Sequence, residues 1–520
     1  MDTRTDNWDE TVDMVVVGYG FAGAAASIEA HDLGANILLV EKNVTPGGIS
    51  ICSAGGVRIA RDRDAALAYL KETNAGVTPE APLAALAEGM TKIARFIEDI
   101  AEAAGATPVT NWMGGTYAFE GYETFGFISI ADYPGVDIYE KYPHVRSLRG
   151  GTRLFAALEH NVEARDIPVR LSTSAERLIT SPDGAVTGVV LRDSSGTKRV
   201  RARGGVILAC GGFEADASMQ AQYWQGKPVL PHAYCGNTGD GIRMAQAIGA
   251  DLWHMWHYHG TYGMSHTDPA YPYGIRLTKF PDWIPGHDDP DDVPAFFAAS
   301  QGKRMPWIVV DARGKRFMNE YPPYLQDTGH RDMEVMDPIT QTHLRIPSWL
   351  VLDADGLAAG QLGLQTYHDA KQTFIWSEDN SQEVELGIIQ HAETLEELAN
   401  IMGAPPDSLR DSVKRWNSNC ASGEDSDFGR ITESLIPIQK PPFYTTALHP
   451  IVGNTQGGPV HDNRQRVLNP FGDVIEGLYT AGELGSVFGH LYISGGNLAE
   501  CFVGGRTAAR EAHNKAAENV

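Results

Sequence analysis

Hydrophobic positions along the 520-residue chain change period several times, and each change predicts an element. Residues 14–17 are an unbroken apolar run, the pattern of a strand buried on both faces of a parallel sheet, and residues 36–40, apolar after Asn36, predict a second such strand. From 64 to about 105 the period lengthens. Leu83, Leu86, Met90, Ile93 and Ile97 recur every three or four residues with Glu88, Lys92, Arg95 and Glu98 between them, which predicts an amphipathic helix on a core. Aromatics then crowd residues 107–142 without alternation, broken by glycines and Pro134, so a loop-rich wall is expected there. A helix carrying Leu154, Ala157 and Leu158 starts after Arg149-Gly150-Gly151-Thr152. Four short strands follow at 169–173, 175–180, 186–192 and 198–202, and the turn signals Pro182-Asp183-Gly184 and Ser194-Ser195-Gly196 make them an antiparallel meander. Residues 204–213 read as one more buried strand, ending at Gly211-Gly212.

Further on, Thr238-Gly239-Asp240-Gly241 opens a helix with Asp240 as cap or first-turn acid. Composition changes after Asp251, where Trp253, His254, Trp256, His257, Tyr258, His259 and Tyr262 cluster, followed by Phe280, Trp283 and an acidic loop at 287–292. Residues 307–320 predict a strand, a turn and a second strand. Residues 385–430 read as a polar, partly helical cap with Leu395, Leu398, Ile401 and Met402 on one side. The chain closes with an apolar strand at 477–481 and a helix led by Gly495-Gly496. The expected division is one discontinuous domain, 1–265 with 436–520, and a second domain at 266–435.

The first apolar run leads into Gly18-Tyr19-Gly20-Phe21-Ala22-Gly23, and the second ends at Glu41. Strand, glycine turn, helix, strand and acid stand at the spacing of a dinucleotide cradle. Gly18 permits the turn, Gly20 lets a pyrophosphate approach the backbone, and Gly23 lets the helix pack on the strand. The helix N-terminus adds partial positive charge, and Glu41 can accept ribose hydroxyls. A second glycine loop, from Pro46-Gly47-Gly48 through Ser50 and Ser53 to Gly55-Gly56, has no place in a simple NAD-binding unit and suits a backbone lying against a large flat ring.

Charge and cysteine content narrow the partners. A formal net charge of −24 argues against nucleic acid or an anionic membrane surface. No apolar run approaches a membrane span, mean hydropathy is −0.24, and the first ten residues are polar and acidic, unlike a secretion signal. Cys52, Cys210, Cys235, Cys420 and Cys501 form no CxxC pair, which makes no case for a metal or a disulfide framework and fits a reducing cytoplasm. Histidines 254, 257 and 259 match no zinc spacing, so a lining for an apolar or hydrogen-bonding pocket is expected instead.

The two glycine loops, the glycine-ended strand at 204–213, the TGDG at 238–241, the run Gly314-Lys315-Arg316-Phe317-Met318-Asn319-Glu320 and the closing Ala481-Gly482-Glu483 together resemble the fumarate reductase/succinate dehydrogenase flavoprotein superfamily. Within it the chain is most similar to the 3-ketosteroid dehydrogenases of the Δ4-(5α) type. The resemblance implies an α/β fold: a Rossmann-like FAD-binding domain, parallel sheet plus antiparallel β-meander, with an inserted α+β substrate or capping domain. It implies FAD held by Gly18, Gly20, Phe21, Ala22, Gly23, Glu41, Lys42, Gly47, Gly48, Ser50, Ser53, Ala54, Gly55, Gly56, Ala175, Cys210, Gly211, Gly212, Asp240, Gly482, Glu483, Asn497 and Leu498, with Glu483 at the ribityl chain. Some relatives attach the flavin through a histidine near the second loop. None stands here, so the FAD is expected to be non-covalent.

Enoate reductases of the superfamily carry an arginine before the last glycine pair, which clamps a substrate carboxylate. Ile493 occupies that place here, so the clamp is lost. The run Tyr492-x-Ser494-Gly495 is similar instead to the tyrosine–serine arrangement of the Δ4-(5α) enzymes. Tyr324, with Tyr321 as a neighbouring alternative, follows Asn319-Glu320 where that group places an active-site tyrosine. Desaturation beside a ketone needs a polarised oxygen, a base for the α-proton and a hydride acceptor, flavin N5. Tyr492 and the amides near Gly495 are expected to polarise the carbonyl, and Ser494 and Tyr324 to take or relay the proton, though the hydroxyls could exchange roles. The expected substrate is a small cyclic ketone, a 3-ketosteroid or an oxocyclohexanecarboxylate. A separate acceptor such as a quinone is expected to receive the electrons. The alternative is an enoate reductase in which Arg331, in His330-Arg331-Asp332, donates the proton to an activated C=C bond.

Overall fold

The computed structural model describes residues 7–146, 150–277, 305–321 and 325–518. The chain forms two compact mixed α/β units: Met1–Asp216 with Gly236–Tyr258 and Asn454–Val520, and Ala217–Cys235 with His259–Gly453.

The first unit is built on the parallel sheet that the apolar runs predict. Glu10–Val17 pairs with Ile37–Val40 on one side and Gly196–Leu208 on the other, and Val169–Arg170 and Val474–Thr480 extend the sheet, all in parallel. Val17 stands opposite both Val40 and Leu208, and Leu208 stands opposite Thr480. The residues following all four strands therefore emerge at one edge, the carboxyl edge where parallel sheets bind nucleotides.

The strands expected at 198–202 and 204–213 are one strand of 13 residues, Gly196–Leu208. Its first half pairs antiparallel with Val186–Asp193, itself paired with Ser174–Thr180, which makes the meander. Gly204 and Gly205 mark a close approach rather than a break. A Cβ on Gly204 would stand 2.0 Å from Ala512 O of the closing helix Gly496–Glu518. The segment 169–173 lies outside the meander, because Val169–Arg170 is an edge strand of the parallel sheet.

The helical stretch 64–105 is three helices, Arg63–Asn74, Glu80–Met90 and Ile93–Ala104. The expected apolar face is buried, but Thr91 interrupts it, its hydroxyl bonding back to Glu88 O at 2.8 Å. The aromatic wall contains a small antiparallel sheet, with Phe125–Asp132 between Val57–Ala60 and Thr107–Asn111. Thr107–Asn111 is mostly exposed, so no apolar alternation reveals it in sequence.

In the second unit the sheet order is Ile308–Val310, Ser348–Leu352, Phe443–Thr455, Tyr258–Met264, Ile275–Leu277, Gly363–Leu364. Tyr262, Met264, Ile275, Leu350 and Leu352 enter one core. Ile308, Val310 and Val351 pack instead against Leu398, Leu409, Val413 and Trp416 of the helices Leu395–Met402 and Pro406–Ser422. Ile401, expected on the buried side with Leu398, is 39% exposed.

Candidate functional site

At the carboxyl edge of the first unit's sheet, the turn after Glu10–Val17 is tight enough to demand its glycines. Gly18 sits at φ +104°, and a Cβ on Gly23 would stand 1.8 Å from Gly18 O. The helix Phe21–Asp32 has no side-chain cap, and Phe21 N donates to Ser50 Oγ at 3.2 Å, which joins the first glycine loop to the second. Glu41 is buried. One carboxylate oxygen accepts from Tyr19 N at 3.0 Å and the other from Asn43 N at 2.9 Å, so the carboxylate is fixed at the strand end. Lys42 and Asp240 come together, Nζ to carboxylate at 2.6 Å, with Thr238 Oγ1 at 3.0 Å. Asp240 therefore lies in the first turn of its helix bonded to a lysine, with Gly239 at the cap position. Thr173 N donates to Glu41 O, which brings Ala175 close to this end. In the second loop Gly55 takes φ +73°, and a Cβ there would collide with Gly150. Ser53 Oγ accepts from Gly55 N at 3.3 Å, and Ser53 O accepts from Gly151 N at 2.9 Å.

Two carboxyls meet where the sheet's third and fourth strands end. Glu483 accepts from Thr455 N at 2.8 Å and from Asn237 Nδ2 at 3.3 Å, and the same Nδ2 donates to Glu214 at 2.7 Å. Burial pushes Glu483 up to about 7. Burial and then the Glu483 charge push Glu214 well above the carboxylate range. Gly212 is obligatory beside them, since a Cβ would stand 1.8 Å from Thr455 Oγ1. Nothing in the sequence pattern singles out Glu214 beyond its place directly after Gly211-Gly212-Phe213.

The turn at 492–495 lies before the closing helix. Tyr492 is buried, its phenolic oxygen accepts from Asn497 N at 3.4 Å, and burial pushes the phenol up. Gly495 sits at φ +74° with a virtual Cβ 2.5 Å from Gly56 O, so this turn touches the second glycine loop. The amide of Gly496 already donates to Ile493 O at 2.8 Å. Arg58, which the sequence reading passes over, donates from Nε to Ser494 O at 2.7 Å. Asn497 donates to Gln456 Oε1 at 3.1 Å and to Glu500 at 2.7 Å, and burial pushes Glu500 up to about 8. Leu498 is half-buried in the first turn of the helix.

The preceding loop is gripped at nearly every carbonyl. Trp253 Nε1 donates to Gly485 O at 3.2 Å, and His461 Nε2 lies 3.0 Å from the same oxygen. His254 Nδ1 lies 2.8 Å from Ser486 O, Thr78 Oγ1 donates to Val487 O at 2.8 Å, and His257 Nδ1 lies 2.7 Å from Phe488 O. Two of the three histidines read as pocket lining thus hold backbone. Burial lowers His254 to about 4.

In the second unit, Arg331 stands 3.7 Å from Asp327, which is fully buried and 3.8 Å from His259 Nδ1. Tyr321 is buried, and Tyr324 lies outside the described residues. Arg316 and Glu320 of the signature run form a buried network. Arg316 bonds to Glu320 at 2.6 Å and to Asp425 at 3.0 Å, while Arg430 donates to Trp307 O at 2.7 Å.

Residues 13–498 match the model of the FAD binding domain family. The chain belongs to that family. It is an FAD-dependent oxidoreductase acting on CH–CH bonds. A 3-oxosteroid 1-dehydrogenase of Mycobacterium tuberculosis is 28% identical over 96% of this chain and 97% of the relative. A vinyl phenol reductase of Lactiplantibacillus plantarum is 26% identical over 97% and 96%. The crystal structure of the 3-ketosteroid Δ1-dehydrogenase of Sterolibacterium denitrificans, in complex with 1,4-androstadiene-3,17-dione, superposes with a TM-score of 0.77 at 25% identity, covering 97% of this chain and all of that one. The first unit fits the cofactor. Its two glycine loops are packed too closely for side chains and joined by Ser50, its acid at the second strand end is fixed, and a buried carboxyl pair bridged by Asn237 closes the other strand ends. Among the described residues no helix is long and apolar enough to cross a membrane.

Proposed function

We propose that this protein desaturates a CH–CH bond next to the ketone of a small cyclic substrate, a 3-ketosteroid or a smaller ring such as an oxocyclohexanecarboxylate. The observation that carries this reading is the 492–495 turn. A buried phenol and a half-buried serine stand beside the second glycine loop, with Ile493 fully buried between them and no arginine or lysine in residues 491–497. Tyr492 donates to the ketone oxygen and raises the acidity of the α-carbon, and Ser494 with Tyr324 takes or relays the proton. Bound FAD supplies the hydride acceptor. Glu41 and the 18–23 turn hold its adenosine and pyrophosphate end, and Glu483, Asn497 and the head of the closing helix hold the ring end. The first unit is read as a Rossmann-like FAD-binding domain and the second as an inserted α+β substrate or capping domain; the units part at 258/259 and 453/454, beside the expected 265/266 and 435/436, and 217–235 joins the second unit. FAD is held without a covalent bond, because residues 46–56 contain no histidine. Five cysteines that form no disulfide support a cytoplasmic protein, and a quinone or similar small acceptor reoxidises it.

Anaerobic stopped-flow bleaching of the bound flavin by steroid and cyclohexanone substrates tests the reading. Tyr492→Phe, Ser494→Ala and Tyr324→Phe should each slow reduction by roughly 10²-fold or more. Wild-type rates in all three would remove the site. A second reading, reduction of an activated C=C bond with Arg331 as proton donor, draws on the 3.7 Å approach of Arg331 to buried Asp327. Arg331→Ala abolishing alkene reduction, with ketone desaturation intact or absent, would move the protein into that class.

A further inference from the structure

Arg58 is among the largest fully buried side chains of the chain, 1% exposed, in the short strand Val57–Ala60. Its neighbours Val57 and Ile59 are apolar, and an apolar residue there would satisfy the strand pattern. A buried guanidinium is costly unless its donors are met. Here they are met by one place in particular. Nε donates to Ser494 O at 2.7 Å, Nη1 to Gly114 O at 2.7 Å, and Nη2 reaches Thr116 Oγ1 at 3.4 Å. Arg58 N donates to Gly495 O at 3.2 Å, and Ser494 N donates to the same Thr116 hydroxyl at 3.1 Å. The guanidinium lies over the Phe127 ring, 3.8 Å from its centroid, which fixes the plane of the fork. Both peptide groups of Ser494 and the carbonyl of Gly495 are thereby tied, directly or through Thr116, to a three-stranded sheet rather than left to a loop.

We propose that Arg58 is the positioning residue of the Tyr492–Gly495 turn, its guanidinium holding the Ser494 carbonyl and, through Thr116, the Ser494 amide, and setting a fixed positive charge near the phenol that polarises the substrate ketone. The charge acts on that phenol in the useful direction. Burial raises Tyr492 and the Glu500 charge adds to it, while the Asn497 N–H bond and the Arg58 charge lower it, so without Arg58 the phenol is a weaker hydrogen-bond donor. This rests on the function proposed above, and the experiment separates the two.

The readout is the infrared carbonyl stretch of a ring enone bound to the oxidised holoenzyme, alongside kcat and KM for ketone-driven flavin reduction. In the wild type the stretch should fall well below that of the free enone, and Tyr492→Phe should remove most of that displacement. Arg58→Met should remove a large part of it as well, with kcat down by roughly tenfold to a hundredfold and KM little changed. Arg58→Lys keeps the charge but not the fork. It should retain most of the carbonyl displacement while kcat falls by about tenfold, and it carries the test if the Met variant fails to fold. In the Tyr492→Phe background, Arg58→Met should add little to the lost displacement. Wild-type displacement and kcat in both Arg58 variants overturn the positioning role, as does a fully additive double variant. A wild-type displacement in Tyr492→Phe overturns the proposed function itself, whatever the Arg58 variants do.

Discussion

Glu500 has three donors aimed at its carboxylate, Val487 N, Ser486 Oγ and Asn497 Nδ2, yet burial outweighs them and pushes it up to about 8. The folded protein therefore holds a proton that the unfolded chain releases above the ordinary value of 4.5. The sign follows. Its contribution to stability is fully present below that ordinary value and is lost as pH rises through the folded one. Glu500→Gln cannot titrate, so its melting temperature should fall less than the wild type's between the two values, the gap changing by on the order of 1 kcal/mol per pH unit at most. Parallel melting curves across that window would show that the carboxyl is already ionised. A steric residue gives a cleaner test. A methyl on Gly23 must displace Gly18 O, which a Cβ would meet at 1.8 Å, so Gly23→Ala should purify with little flavin, read as the ratio of visible to ultraviolet absorbance. Full flavin content in that variant would mean the turn can open without losing the cofactor.

At the scale of elements, the loop 485–489 shows what a local reading can and cannot reach. The carbonyls of 485–488 are held by residues distant in sequence: Trp253, His254, His257, His461 and Thr78. His257→Phe leaves the carbonyl of Phe488 buried without its imidazole, a loss of about 1–3 kcal/mol. Amide exchange in 485–490 should accelerate while the hairpin of Ser174–Thr180 with Val186–Asp193 is unaffected, and acceleration in both would mean global rather than local loosening. The first strand, its glycine turn and the second strand were legible because period, turn chemistry and spacing are local signals that agree. The joined strand Gly196–Leu208 was not, since paired glycines read as punctuation when their cause is the closing helix packed against them. The histidine-rich stretch hides its partners for the same reason. Its composition is visible in sequence, but the carbonyls it binds lie more than two hundred residues away. Arg58 left only a charge between two apolar strand residues as its sign. Arg316 and Glu320 were legible as a motif, while their use in a buried network with Asp425 and Arg430 depends on partners about a hundred residues on.

Over the whole molecule the formal charge of −24 acts on how electrons leave more than on how substrate binds. A substrate in a pocket sees the groups lining it, whereas a soluble acceptor approaches through the summed field of the surface. An anionic acceptor such as ferricyanide is repelled at distances set by the Debye length, which falls from ~30 Å at ~10 mM salt to ~8 Å near physiological ionic strength. Its second-order rate of reoxidation should therefore rise several-fold over that range, while a neutral quinone of similar size should change little, and a cationic dye should slow. Stopped-flow reoxidation with the three acceptors at matched driving force measures this directly. A ferricyanide rate that is flat or falls with salt would mean that the path to the reduced flavin opens on a locally neutral or positive patch. The net charge would then say nothing about the natural acceptor, and arginines near that opening would become the residues to test.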